Sequence, residues 1–325
     1  MSWRYRVDDD AGIRIEPRLR IKRGPPTSEL AVGSFPFPEF RTYQCEVIEA
    51  VVEALERDGK DFVFVQAPVG FGKSPAGIAL ARAYGDAWIV TTQKTLQDQY
   101  WRDFSAISAR LKGKSNYPCW KNDDESGCDE GPCVISKAYC KSPCTYRDVG
   151  QTSMGVYCDY LSTLEIAANH PLTITNYATL LYHGAYSGKL SPRRLLIVDE
   201  AHRSEDILMG FISVEISRRS LNAYIPTGGV VSWELPKLKM AAEVLRWLKD
   251  EIEPRLPSAE GAALRGTNFG NAAYGRHAAR RFTFLRNLGS KIEELEEALA
   301  GEEEWVVDPS RLPDFLVIKP VTVSR

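Results

Sequence analysis

The sequence predicts an α/β fold: a parallel sheet with helices on both faces. Three observations carry this. Four short apolar runs, DFVFVQA (61–67), AWIVTT (87–92), PLTITN (171–176) and RLLIVDE (194–200), have the length and composition of buried strands. The first two alternate with segments of helical period, and strand–helix–strand–helix at that rhythm means parallel strands joined by crossovers. The first run is followed at once by a glycine-rich turn, APVGFGKS (67–74), that opens a helix.

Taken in order, residues 11–23 alternate apolar with charged and predict a short strand pair with a basic face. Residues 24–40 contain Gly24 and four prolines and read as a loop. Residues 1–34 thus form an N-terminal extension. Val47, Ile48, Val51, Val52 and Leu55 then mark a helix ending near Gly59. SPAGIALARAYG is a helix with Pro75 in its first turn, where proline is tolerated. KTLQDQYWRDFSAISARL is another helix. The α/β domain so defined covers 35–111 and 159–205, and the cysteine-rich segment 112–158 is inserted into it. Residues 206–325 read as mostly helical. Leu238, Ala241, Leu245, Leu248 and Ile252 share one helix face, 255–275 reads as a loop, RHAARRFTFLRNLG is a basic helix, and Ser290 with Glu293 suggests a capping box opening one more.

The totals exclude little. The chain has 325 residues, 44% hydrophobic and 26% charged, with a net charge of −2, so a nucleic-acid surface has to be a local patch. The start MSWRYRVDDDAG has no apolar core of a secretory signal, and no apolar stretch reaches the ~18 residues of a membrane span. The expected location is cytoplasmic, or the host cytoplasm for a virus-encoded chain, with no membrane partner. In that reducing setting clustered cysteines read as metal ligands before disulfides.

Two motifs carry chemistry. In APVGFGKS, Gly70 and Gly72 allow the backbone angles that turn amide N–H groups onto a phosphate, and the new helix adds its N-terminal dipole. Lys73 would neutralise the β- and γ-phosphates of ATP, and the Ser74 hydroxyl would hold Mg²⁺. LLIVDEAH (195–202) delivers two carboxylates at a strand's C-terminal end, where open α/β sheets bind ligands. Asp199 would orient the Mg²⁺, and Glu200 would act as general base on the attacking water.

Asp199-Glu200-Ala201-His202 resembles the DEAH box of superfamily 2 helicases. Arg41 and Gln44 resemble their adenine-reading R-x-x-Q element, and TTQKTLQDQ (91–99) is similar to the motif that touches the DNA backbone. KGKSNYPC, scattered cysteines and YCDYL…NHPLTITNYATLL together resemble the iron–sulfur helicases of the XPD/DinG type, over roughly residues 35–205. FLVIKPVTVS (315–324) resembles the segment that leaves their helical arch domain. The resemblance implies a RecA-like ATP-binding lobe, a 4Fe–4S insert, an arch-like region, 5′→3′ polarity and a single-stranded or forked DNA partner. His202 would link the phosphate site to the DNA side.

Six of the seven cysteines fall between Cys119 and Cys158. A zinc knuckle from Cys128/Cys133 and Cys140/Cys144 stays open beside a cluster, since both need four ligands. By resemblance Cys119 is the first cluster ligand and Cys158 the last. Cys128, Cys133, Cys140 and Cys144 compete for the middle two places, and the resemblance favours Cys133 and Cys144. Cys45 reads as a core residue. Lys112, Lys114, Tyr117 and Trp120 offer charge and rings to a single strand, or simply cover the cluster. The acidic run Asp123–Glu125 faces away from DNA in this reading, and Arg276–Arg281 is a second candidate contact.

No Ser-Ala-Thr motif and no Q-x-x-G-R-x-x-R occur in the 325 residues. The ATP site thus expects an arginine from a second lobe, on a separate chain or a further segment. The expected activity is that of a helicase motor lobe. The alternatives are a metal-stabilised module that binds nucleotide and DNA without translocation, and a zinc-bearing, nuclease-linked ATPase, against which the lack of a nuclease carboxylate cluster counts.

Overall fold

The computed structural model describes residues 7–8, 12–13, 24–119, 127–131, 158–229, 232–265, 272–301 and 304–321. Two compact units emerge: residues 1–113 with 148–204, and residues 114–147 with 205–325.

The first unit holds a parallel sheet in the order β4-β5-β3-β6, from β3 (Ala87–Thr91), β4 (Ala109–Arg110), β5 (Leu172–Asn176) and β6 (Leu195–Val198). Ile89 sits between Ile174 and Ile197 in the register. All five residues of β3 are buried, as expected of a central strand covered on both faces. Before it come β1 (Val7–Asp8), paired antiparallel with β2 (Gly12–Ile13), then α1 (Ser28–Gly33), α2 (Gln44–Val52) and α3 (Lys73–Tyr84). After β3 come α4 (Lys94–Phe104), α5 (Asp159–Asn169) and α6 (Tyr177–Tyr182). Ala76, Ala79, Leu80 and Ala83 of α3 pack with Ile48, Val51 and Val52 of α2. Ile78 and Ala81, also of α3, pack with Ile89, Ile174, Tyr100 and Phe104. Small residues on α3 let that helix lie close to the sheet. The α/β class predicted from the sequence is the observed one.

Two local expectations for this unit are corrected, and a third falls mostly outside the described residues. Residues 61–67 are not a strand. Val63 leans on the α2–α3 cluster, but Phe62 and Phe64 are 81% and 86% exposed. Among the described residues no backbone–backbone hydrogen bond engages residues 61–67, and β6, at the edge of the sheet, pairs with β3 alone. Apolarity suits a strand, but only a hydrogen-bonded neighbour makes one. Residues 28–33 form a helix rather than a loop, because the Thr27 side chain caps it by accepting from the Leu30 amide at 3.2 Å. Of the strand pair expected over 11–23, only Gly12–Ile13 is described, and its partner lies before it.

The second unit contains α7 (Ser204–Ile212, whose first residue belongs to the other unit), α8 (Arg218–Tyr224), α9 (Ala241–Trp247), α10 (Leu256–Arg265) and α11 (Ala272–Ala300). They accompany an antiparallel sheet β7-β9-β8, from β7 (Val214–Ser217), β8 (Trp305–Asp308) and β9 (Phe315–Pro320). That sheet adds to the mostly helical expectation, as does α10 within the expected loop. The predicted capping box at Ser290 is corrected too. α11 runs through Gly289 and Ser290 without a break, because Leu285, Leu288, Ile292 and Leu295 form one buried face. Burial of that face outweighs the ~1 kcal/mol that a mid-helix glycine costs. No described helix is long and apolar enough to cross a membrane.

Candidate functional site

The glycine turn ends where α3 begins. Gly70 (φ +85°) and Gly72 (φ +87°) are both left-handed, and Gly72 caps the helix. At Gly72 no side chain fits: a Cβ there would lie 2.2 Å from the Gln44 amide nitrogen. Gln44 is buried, and its Nε2 donates to the carbonyls of Phe71 (2.8 Å) and Gly72 (3.1 Å). Its Oε1 accepts from the Arg41 amide at 2.7 Å, and the Arg41 guanidinium donates to the Gly70 carbonyl. Arg41 and Gln44 therefore brace the turn by its carbonyls, while the Phe71 amide donates to the Pro68 carbonyl at 3.3 Å. Lys73 opens the helix, and its Nζ donates to the Ala67 carbonyl at 3.0 Å.

The second motif continues β6. The Asp199 amide donates to the Val90 carbonyl at 2.9 Å, so the ladder runs one residue past the strand. Glu200 then adopts φ +56°, a left-handed angle rare for a residue with a side chain. Its amide donates to Asp199 Oδ1 at 3.0 Å. Its carboxylate reaches His202 Nδ1 at 3.2 Å, and His202 is exposed. The chain thus turns sharply at the strand end and presents Asp199, Glu200 and His202 in succession.

Tyr100 lies near both motifs. Its ring is buried in the cluster around Ile78 and Phe104, and Ser74 and Asp199 are among the groups that bear electrostatically on its phenol. Burial, then the negative charge of Asp199, pushes the phenol far above its ordinary range. Of the sequence-predicted residues, Gly70, Gly72, Lys73, Ser74, Arg41 and Gln44 meet at the turn, and α3, which the turn opens, packs against Ile197 of the strand that leads to Asp199. Sequence reasoning missed Tyr100, because a tyrosine on the inner face of an amphipathic helix reads as core. Ser74 at the start of α3 and Asp199 just past the end of β6 carry oxygen donors of the kind that suit a hard divalent cation. Among the described residues no group of three or more His, Cys, Asp or Glu is placed to hold a metal by itself.

The segment similar to a DNA-touching motif is engaged inward. Gln97 is buried and donates to the carbonyls of Leu111 (2.7 Å) and Ile174 (3.3 Å). Thr91 donates to the Gln93 carbonyl at 3.1 Å. Asp98 holds Arg110 at 2.8 Å and Lys112 at 2.5 Å, and the hydrogen bond from Lys112 lowers its carboxyl pKa.

In the second unit, Pro118 and Gly127 form an antiparallel bridge, with the Cys128 amide donating to the Tyr117 carbonyl at 2.8 Å. Cys119 and Cys128 are both buried beside it. The Cys128 thiol lies 3.2 Å from the Pro118 carbonyl, and a Cβ on Gly131 would stand 2.7 Å from Cys119 Sγ. Cys128, left over in the sequence reading, is thus the described cysteine beside Cys119. Glu130 pairs with Arg280, so one arginine of the basic helix stretch has an acidic partner. In the first unit, half-buried Cys158 caps α5. Cys45 is half-buried rather than a core residue. Cys133, Cys140, Cys144, Trp120 and Asp123–Glu125 lie outside the described residues, and so does the side chain of Arg276.

Residues 37–224, more than half of the chain, match the family model described as "Type III restriction enzyme, res subunit". No curated protein matches the chain.

Proposed function

Because the chain belongs to the type III restriction enzyme res subunit family and so carries a helicase-like, ATP-dependent motor domain, we propose that it is the ATP-binding lobe of a 5′→3′ DNA helicase of the XPD/DinG type. One observation supports this most. The glycine turn opens α3, and α3 packs against Ile197 of β6, so the turn and the Asp199 strand end, far apart in sequence, lie on neighbouring elements.

In this reading the N–H groups of the turn bind the phosphates of ATP, and Lys73 exchanges the Ala67 carbonyl for the β- and γ-phosphates. Mg²⁺, held by Ser74 and Asp199, supplies neutralisation of the phosphate charge. Glu200 orients the attacking water and takes its proton, and His202 bears on Glu200 from the exposed side. Arg41 and Gln44 read the adenine, which requires them to share or exchange the loop carbonyls they hold. A second lobe, on a partner chain or a further segment, supplies the arginine that completes the site. The DNA partner is single-stranded or forked, and the expected compartment is the cytoplasm.

A 4Fe–4S cluster would be held by Cys119 and Cys158 with two of the intervening cysteines. The burial of Cys119 beside Cys128 fits a thiolate site, and it makes Cys128 a rival of Cys133 and Cys144. The cluster's part is structural, pinning the insert.

The test is ATP binding and turnover, with and without single-stranded DNA, for the wild type and Lys73→Ala. DNA-stimulated turnover that the substitution abolishes supports the motor lobe. Binding of nucleotide and DNA with no turnover, even when a second lobe is supplied, leaves a binding module. Equal nucleotide binding by both proteins rejects the site.

A further inference from the structure

We propose that Tyr177 is a positioning residue of the carboxylate turn, holding residues 199–203 from their far end through a hydrogen bond to Ser204. The inference rests on the reading of Glu200 as the base of an ATP site. It assigns a role to two residues outside both motifs.

The turn is tied to the sheet at its start, where the Asp199 amide donates to the Val90 carbonyl at 2.9 Å. Beyond that its backbone bonds are local. The Glu200 amide donates to Asp199 Oδ1 at 3.0 Å, the Arg203 amide to the Glu200 carbonyl at 3.0 Å, and the Ser204 amide to the Ala201 carbonyl. Ala201, His202 and Arg203 are exposed, so packing fixes little of the turn. Yet Glu200 keeps a left-handed φ of +56°, and such a residue persists only where its surroundings over-determine it. At the far end the Ser204 and Tyr177 hydroxyls hydrogen-bond each other. That bond reaches across the edge of the sheet. Tyr177 follows the last residue of β5, Ser204 follows the turn after β6, and β3 lies between the two strands.

Tyr177 is a firm mount. It is 9% exposed and opens α6. Asn176 caps that helix by accepting from the Thr179 amide at 3.0 Å, and its Nδ2 donates to Gln97 Oε1 at 3.5 Å. Gln97 is itself buried and bonded to the Leu111 and Ile174 carbonyls. A turn clamped at both ends keeps the Glu200 carboxylate in one place, and a turn released at one end lets it wander. Phosphate binding lies on another segment, the glycine turn with Lys73, and does not need this clamp.

The test compares wild type, Tyr177→Phe, Ser204→Ala and Ser204→Thr by hydrogen exchange at the amides of 200–204 and by ATP turnover with single-stranded DNA, alone and with a second lobe supplied. Tyr177→Phe keeps the ring, and a thermal melt verifies the fold. Tyr177→Phe and Ser204→Ala should each speed exchange in the turn by up to about tenfold, the net worth of one hydrogen bond. Each should lower kcat by about tenfold, since misplacing a reacting group by ~1 Å is costly, with the KM for ATP within about twofold of wild type. Ser204→Thr, which retains the hydroxyl, should retain both properties. Combining Tyr177→Phe with Ser204→Ala should add little, since the two groups act as one. Unchanged exchange in the turn, or a kcat equal to wild type, overturns the inference alone. So does a loss spread over kcat, KM and the melt together, which marks a merely structural tyrosine. A wild type that does not hydrolyse ATP even with a second lobe overturns the reading of Glu200 and this inference with it.

Discussion

The two units are built on different economies. The second is held by one continuous apolar cluster of eighteen buried residues, from Val214 to Ile318, into which α8 to α11 and the antiparallel sheet all contribute. The first divides its apolar contacts into separate clusters around α3, and among them it buries Gln44, Gln97, Thr91, Thr173 and Thr175. Each of these polar groups hydrogen-bonds a backbone carbonyl: Gln44 at the glycine turn, Gln97 and Thr175 at Leu111, Thr173 at Ala167, Thr91 at Gln93. A buried amide left unpaired costs about 1–3 kcal/mol, so such groups fix a loop in one conformation. The difference teaches that apolar area makes a scaffold, and paired buried polar groups shape a site on it.

The contrast can be broken in four ways. The largest effect is expected for Lys73→Ala. It should lower ATP turnover by roughly 10²–10³-fold, the scale seen when one charge-stabilising donor is lost, and leave the melting temperature nearly unchanged. In the second unit, Leu285→Ala should cost about 2–5 kcal/mol in a denaturant melt, because the side chain is fully buried. Nucleotide affinity should hold within about twofold of wild type below the transition. If instead Leu285→Ala weakens nucleotide binding as much as Lys73→Ala, the division between scaffold and site fails.

A third effect sharpens the picture of the first unit. Burial holds the pKa of His170 down to about 4, and the ring's Nδ1–H donates to the Leu172 carbonyl at 2.6 Å. The unfolded chain titrates near its ordinary ~6.5. Stability from the neutral histidine is therefore full above that value and is lost as the pH falls from about 6.5 to 4, by on the order of 2 kcal/mol. His170→Gln should flatten that limb of the pH–stability curve, and parallel curves for the two proteins would refute the assignment. The smallest effect is at Arg280, which is mostly exposed in its pair with Glu130. Arg280→Ala should cost no more than about 1 kcal/mol, and a larger loss in the melt would show that the pair does more than decorate the surface.

Much of this was legible beforehand. Gly70, Gly72, Lys73 and Ser74 lie within five residues, and their spacing alone states what the backbone must do. The Asp199 strand end is equally local. Tyr100 was not legible as a neighbour of the site, because Ser74 and Asp199, which bear on it, are distant in sequence. The run 61–67 was misread for the same reason: its composition suits a strand, but strand pairing is a property of a neighbour. Thr27 was overlooked among prolines, although a threonine three residues before an amide it can cap is a local signal. Ser290 and Glu293 misled in the other direction. The same spacing occurs inside any long polar helix face, and only the buried row from Leu285 to Leu295 shows that α11 does not stop there.

The edge position of β6 has a practical outcome. Among the described residues it pairs with a strand on one side, and Phe62 and Phe64 are exposed in the same unit; together these favour the chain sticking to itself. Light scattering from the isolated protein should rise steeply with concentration, and a Phe62→Lys/Phe64→Lys pair should suppress it without altering nucleotide binding. For anyone preparing this chain, the yield of dispersed material should depend on two phenylalanines far in sequence from Asp199 and Glu200.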